Sequence, residues 1–332
     1  MILHEILKLV LTFESMTSAN SFPYTDTLKI LQKWGPGCHF FGHGTTSDLE
    51  ALRSKLADIK RTGSEPAVTS LFCEFPSNPL LRSADLKSLR ALADEYEFVI
   101  VVDETVGNFV NVEVASWADV VVSSLTKVFS GETNVMGGSL VLTPNSKFYS
   151  ELKTTLEGVY EDHYFPEDAI YMERNSRDFR HRISTINDNA YDLTELLVSK
   201  SLMDPSAPKS TVLKYVYYPR YVTHEHYAVA QRFPTTGKGG FGGLFSVTFT
   251  TPEASKAFFD ALECHKGPSL GTNFTLACPY TLLAHYLELD WANDFGVEAG
   301  LVRVSVGLEE IEALKASFLR ALDAAQKTAE SA

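Results

Sequence analysis

Residues 98–131, FVIVVDETVGNFVNVEVASWADVVVSSLTKVFSG, carry the decision about the fold. Phe98 to Val102 is an unbroken apolar run that ends on Asp103. Val120 to Val122 is a second one, opening into a Ser/Thr-lined turn that ends on Lys127. Runs this short and this apolar read as strands buried on both faces, the pattern of a parallel sheet. Two neighbouring strands that deliver a carboxylate and an amine at their C-terminal ends face one crevice of an open α/β sheet, where such folds hold their ligands. A ligand that needs an acid on one side and an amine on the other fits there.

Pyridoxal phosphate has that requirement. Its aldehyde forms a Schiff base with a lysine, and its ring nitrogen needs an acidic partner to stay protonated and draw in electrons. On this reading Lys127 and Asp103 are the central pair, and the hydroxyls of Ser124 and Thr126 point at the phosphate as short polar donors. Glycines follow at Gly131, Gly137 and Gly138. Spacing by itself leaves another reading open: a buried strand followed by an exposed turn lysine.

Working outward, a strand over Val68–Phe72 leads into Phe75-Pro76-Ser77-Asn78-Pro79, where the two prolines exclude regular structure. A helix from Asp85 to Tyr96 follows. Upstream, a turn at Pro23 feeds a helix to Gln32, Cys38–Phe41 is a short strand, and Ser47 caps a helix over Asp48–Ile59. This βαβαβ rhythm predicts a mostly parallel sheet. Beyond Lys127, Leu140–Leu142 continues the sheet and one long helical region runs over about 146–200. Pro205 and Pro208 mark a boundary. After it, strands over 212–218, 244–249 and 302–306 alternate with helices over 252–262 and 308–328. The opening run MILHEILKLVLTF reads as a short amphipathic helix. It is too short to span a bilayer and lacks the basic segment and cleavage site of a signal peptide. The expected organisation is an atypical N-terminal helix (1–21), a large ligand-binding domain with its linking helix (22–200) and a smaller α+β domain (201–332).

The stretch from Phe72 to Leu142, with SLGTNFTLACPYTLLAHY and GLVRVSVGLE further on, resembles the Cys/Met-metabolism family of pyridoxal-phosphate enzymes, and within it the cystathionine γ-synthases of fungal type. The likeness runs from about Phe22 to the last helix. It implies the α/β fold of the fold-type I (aspartate-aminotransferase-like) transferases. It also implies roles residue by residue. Tyr24 stacks on the pyridine ring and shuttles protons, where a packing tyrosine beside Pro23 is the alternative. Asn78 lies near the ring hydroxyl, where a plain turn residue is the alternative. Thr105 shares the strand face of Asp103. Arg303 grips the substrate's α-carboxylate, and Ser269 lends a second contact.

Arg303 invites that reading on its own terms. It stands mid-strand among Val302, Val304 and Val306, where a guanidinium needs an anionic partner, whether substrate or a structural ion pair.

The implied reaction is γ-substitution: an O-acylhomoserine loses its acyl group and the thiol of cysteine adds at Cγ to give cystathionine, on the route to methionine. Alternatives are the same machinery with sulfide, another thiol or a carbon nucleophile, or an inactive remnant that pairs with full-length relatives. The family also implies a homodimer or homotetramer. Two departures from the family's pattern stand out. The Ser-Gly-Met type loop that relatives carry ahead of the stacking tyrosine is not found, the first glycine being Gly35, so a chain shortened at its N-terminus and weak cofactor binding are expected. Pro268 stands where many relatives have Glu.

Composition agrees with a globular protein of this kind: 332 residues, 45% hydrophobic and 21% charged. A formal charge of −13 argues against nucleic acid and anionic membranes as partners, leaving small amino-acid substrates. Cys38, Cys73, Cys264 and Cys278 show no metal-ligand spacing and read as reduced thiols, which points to the cytoplasm. His224-Glu225-His226, the one tight histidine pair, reads as a solvated loop, and no metal site is expected. Neither a Gly-x-Ser-x-Gly elbow nor a Walker loop occurs.

Overall fold

The computed structural model describes residues 16–20, 22–34, 37–233 and 237–330. Its first sheet contains β1 (Met16–Asn20), β2 (Cys38–Phe41), β3 (Val68–Glu74), β4 (Val99–Asp103), β5 (Val120–Ser123) and β6 (Ser139–Leu142), in the order β2-β1-β3-β4-β5-β6. All neighbours are parallel except β5 and β6. Helices α1 (Thr25–Trp34), α2 (Thr46–Thr62) and α3 (Leu86–Tyr96) connect the early strands.

The all-apolar strands are explained by burial on both sides. Along β4, Ile100 and Val102 join one hydrophobic core, with Leu71, Val121, Leu89 and Leu92. Val99 and Val101, pointing the other way, join a second with Phe72, Val120 and Leu28. The period of two along a strand makes this division. Each large side chain so buried contributes roughly 1.5–3 kcal/mol. On α3, Leu86, Leu89, Leu92 and Ala93 form the buried stripe, and Asp85 caps the first turn through its carboxylate on the Ser88 N–H.

Three helices, α4 (Tyr149–Val159), α5 (Pro166–Ser176) and α6 (Phe179–Val198), lead to a second sheet. Its strands are β7 (Leu213–Tyr217), β8 (Leu244–Phe249), β9 (His265–Lys266), β10 (Leu276–Pro279) and β11 (Val302–Ser305), ordered β7-β8-β11-β10-β9 and antiparallel except for β9 with β10. Helices α7 (Pro252–Ala261) and α8 (Ile311–Glu330) pack together, with the rings of Phe258 and Phe318 6.0 Å apart. The principal core is continuous from Leu52 to Ala325 and takes in residues from both sheets.

Several sequence-based expectations need correction. The helix expected over 1–21 falls mostly outside the described residues, but Met16–Asn20 is a strand, paired between β2 and β3. The helix after β2 begins at Thr46, not Asp48: Thr45 is the cap, and the Asp48 carboxylate is occupied by the N–H groups of His43 and Gly44. The helical region expected over about 146–200 consists of three helices, because Tyr160 and Phe165 take extended backbone conformations and Pro166 opens a new helix at its first turn. His224–Ala228 is a short helix rather than a loop, with His226 Nδ1 3.1 Å from the Ser83 carbonyl.

Because β1, β3, β4 and β5 are parallel, their C-terminal ends share one edge of the sheet. The register sets Glu74 beside Asp103 and Asp103 beside Val122. That edge is the floor of the site.

Candidate active site

The turn after β5 presents Lys127 and is fastened from three sides. Thr126 clasps Gly137, its hydroxyl accepting the Gly137 N–H at 3.0 Å and lying 3.2 Å from the Gly137 carbonyl. Buried Arg182, on α6, donates to the carbonyls of Val128 (2.9 Å) and Phe129 (2.8 Å), to the Asn175 carbonyl and to the Asn273 amide oxygen, and pairs with Asp178 at 2.7 Å. Finally, the Ser269-Leu270-Gly271 segment lies against the turn. At Gly271 (φ +71°) a Cβ would sit 2.5 Å from the Val128 nitrogen, so only glycine permits the approach. That contact brings Ser269 Oγ to 3.1 Å from Lys127 Nζ. Burial, and then the positive charge of Arg303, push the Lys127 amine below its usual pKa.

Arg303 enters from β11 and is 3% exposed. Its Nη1 donates to Asn78 Oδ1 at 2.9 Å and its Nη2 to the carbonyls of Pro268 (2.5 Å) and Ser269 (2.9 Å), while the guanidinium lies 4.8 Å from the Tyr280 ring centre. All of these partners are neutral.

The acids lie across the sheet edge. Asp103 accepts the Thr105 N–H at 2.9 Å, and burial raises its pKa. Thr105 Oγ1 accepts the Ser124 N–H at 2.8 Å and so ties the end of β4 to the lysine turn. Glu74, at the end of β3, is a second carboxylate in this site. One oxygen takes the N–H of Tyr24 at 2.5 Å and the other that of Asn78 at 3.0 Å. Burial first, then the charge of Asp103, raises its pKa to about 8. Tyr24 is half exposed, with its hydroxyl donating to Asp26 at 2.9 Å.

All nine residues singled out from the sequence therefore belong to elements that meet at this edge, though not all in the expected attitude. The hydroxyl of Thr126 is committed to Gly137. The oxygen of Asn78 is committed to Arg303, which leaves its NH2 as the free donor. Ser269 touches both Lys127 and Arg303 instead of standing apart as a second carboxylate contact. Glu74, Tyr280 and Arg182 were not singled out. Glu74 carried the same signal as Asp103, an acid closing an apolar strand; Arg182, one charge in a polar helix, carried none.

Asp103, Lys127 and Arg303 are charged groups drawn into one crevice, and among the described residues none has an ion-pair partner. Removing such groups from water without pairing them is costly, so the crevice suits a ligand with complementary charges: a protonated ring nitrogen, an aldehyde for the amine and a carboxylate. Pyridoxal phosphate with an amino acid supplies that set. Among the described residues no cluster of metal-binding side chains occurs, and no helix is long and apolar enough to cross a membrane.

Fold and crevice together define a protein of the fold-type I class, an α/β fold built around pyridoxal phosphate. A family model described as Cys/Met metabolism PLP-dependent enzyme matches residues 40–323, and the chain belongs to that family. A cystathionine gamma-synthase-like enzyme of Amanita muscaria, iboG2, is 55% identical over 316 residues, covering 92% of this chain and 50% of its own length. The cystathionine gamma-synthase of Neurospora crassa is 50% identical, covering 92% and 46%. The chain thus spans about half the length of the curated relatives it matches. A crystal structure of cystathionine gamma synthase from Xanthomonas oryzae pv. oryzae, in complex with aminoacrylate and cysteine, superposes with a TM-score of 0.80 over 98% of this chain and 80% of its own, at 24% identity, a likeness of fold.

Proposed function

We propose that the chain performs γ-substitution on an O-acylhomoserine with L-cysteine as the nucleophile, giving cystathionine. The observation that carries this reading is the uncompensated trio of Asp103, Lys127 and Arg303 at the strand ends. When bound, pyridoxal phosphate supplies a ring that spreads negative charge away from the substrate's Cα. Asp103 holds a proton at the ring nitrogen. Ser124 would donate to the phosphate, and Tyr24 would lie on the ring. Arg303 fixes the substrate carboxylate with the N–H groups that Asn78, Pro268 and Ser269 leave free. The Lys127 amine, its proton affinity lowered by burial, would hold the cofactor through its aldehyde and, once displaced by the substrate's amino group, would be free to carry protons at Cα and Cβ. Ser269, within 3.1 Å of that amine, orients it. We also propose a two-domain division near residue 200 and assembly as a homodimer or homotetramer, as in the family at large.

One observation favours a second reading. The relative at 55% identity bears the name of a cystathionine gamma-synthase-like enzyme, not of a cystathionine gamma-synthase. The same residues serve equally with sulfide, another thiol or a carbon nucleophile, because each is assigned to the cofactor, the amine or the carboxylate.

The test is incubation with pyridoxal phosphate, O-acylhomoserines and each nucleophile in turn, with products read by mass spectrometry. Cystathionine should form, and Lys127→Ala should abolish both turnover and the visible absorbance of lysine-bound cofactor. Retention of the yellow colour by Lys127→Ala would overturn the assignment. A product with another nucleophile alone selects the second reading.

A further inference from the structure

Glu74 is a buried carboxylate, 7% exposed, that the proposed reaction does not use. It has no ion-pair partner among the described residues and lies beside Asp103, its register neighbour on the next strand. Two adjacent acids at a sheet edge repel each other, so a purely structural demand would be met more cheaply by a neutral amide. What an amide cannot do is accept two hydrogen bonds on two separate oxygens. Glu74 does so: Oε1 holds the Tyr24 N–H at 2.5 Å and Oε2 the Asn78 N–H at 3.0 Å.

These donors come from different segments. Tyr24 precedes α1, and Asn78 lies in the turn after β3. Tyr24 is the residue that the cofactor reading sets against the ring, and Asn78 holds Arg303 at 2.9 Å. We propose that Glu74 is a positioning residue of this site, its two carboxylate oxygens fixing the distance between the ring-facing Tyr24 and the Asn78–Arg303 pair that receives the substrate carboxylate. This rests on the cofactor reading given above. Burial and the charge of Asp103 raise the Glu74 pKa to about 8, against the two N–H donors and the charge of Arg303, so the clamp is complete where the acid is ionised and the experiments are read above pH 8.

Glu74→Gln keeps the size but leaves a single acceptor, and turns an NH2 group toward one of the two N–H donors. Glu74→Asp keeps both oxygens on a stem one methylene too short. Hydrogen exchange by mass spectrometry on cofactor-free protein reads the clamp directly. In Glu74→Gln, the segments holding Tyr24 and Asn78 should exchange roughly five- to tenfold faster, the loss of about one hydrogen bond, while the segment holding Lys127 stays unchanged. With pyridoxal phosphate added, the variant should still turn yellow, but the visible circular dichroism of the bound ring should fall severalfold, reporting lost orientation.

Unchanged exchange in both segments would overturn the proposal, as would full visible dichroism in a folded variant. Should Glu74→Gln not fold, Glu74→Asp is read in the same way. If the wild-type chain takes up no cofactor, the cofactor reading fails, and the exchange result still decides whether Glu74 holds the two segments.

Discussion

Arg303 shows how one residue's surroundings specify its ligand. It is enclosed, its bonds all run to neutral acceptors, and it stacks on Tyr280, so its positive charge stays available. Arg303→Lys keeps the charge but loses the forked geometry. We expect a loss of about 2 kcal/mol in transition-state binding, a roughly thirtyfold fall in kcat/KM carried mostly by KM for the amino acid, measurable by steady-state kinetics. A variant with unchanged KM would show that the carboxylate binds elsewhere. Arg303 was legible because a lone guanidinium among valines contradicts its own strand. Arg182 was not: its five hydrogen bonds converge from four separate segments, and only folding brings these together.

At the scale of the element, the strands were the easiest part to read. β4 and β5 are apolar up to their closing Asp103 and Ser123 because both faces are covered, and that leaves a plain trace in sequence. Helix boundaries followed local capping chemistry and were less secure. Thr45, Thr46 and Ser47 are all plausible caps, and the choice of Thr45 depends on Asp48 turning back to His43 and Gly44. Where one cap stood alone, as Asp85 does, the start of the helix was clear. Asp85→Ala should cost about 1 kcal/mol through loss of the bonds to Ser88, visible as a lower midpoint in urea unfolding. No change would mean that packing of the leucine stripe alone fixes α3. β1 was missed because Met-Thr-Ser-Ala-Asn has no apolar run; it is a strand by virtue of neighbours on both sides.

For the whole molecule, the crowded acids predict a pH dependence. Glu74 and Glu104, the buried acid that follows Asp103 at the end of β4, have pKa values raised to about 8 from an ordinary 4.5, burial being the first cause in each case. Folded protein therefore binds protons more tightly than unfolded chain. The resulting stability is fully present below about 4.5 and is lost as pH rises through about 8. Asp103 acts in the same sense, whereas the lowered pKa of Lys127 acts in the opposite one at higher pH. Cofactor-free protein should melt at progressively lower temperature across that interval, and Glu74→Gln should flatten the trend. A melting temperature that climbed instead would contradict the burial of these acids.

A last consequence follows from β11. Arg303 and Ser305 are two positions apart and so share a face, and Ser305 Oγ accepts the Gly271 N–H at 2.7 Å. The loop so anchored carries Ser269, the neighbour of the Lys127 amine. One strand and a three-residue tether therefore hold the guanidinium and the amine at a set spacing, so any change that loosens the Ser305 anchor also unsettles the neighbour of the Lys127 nitrogen.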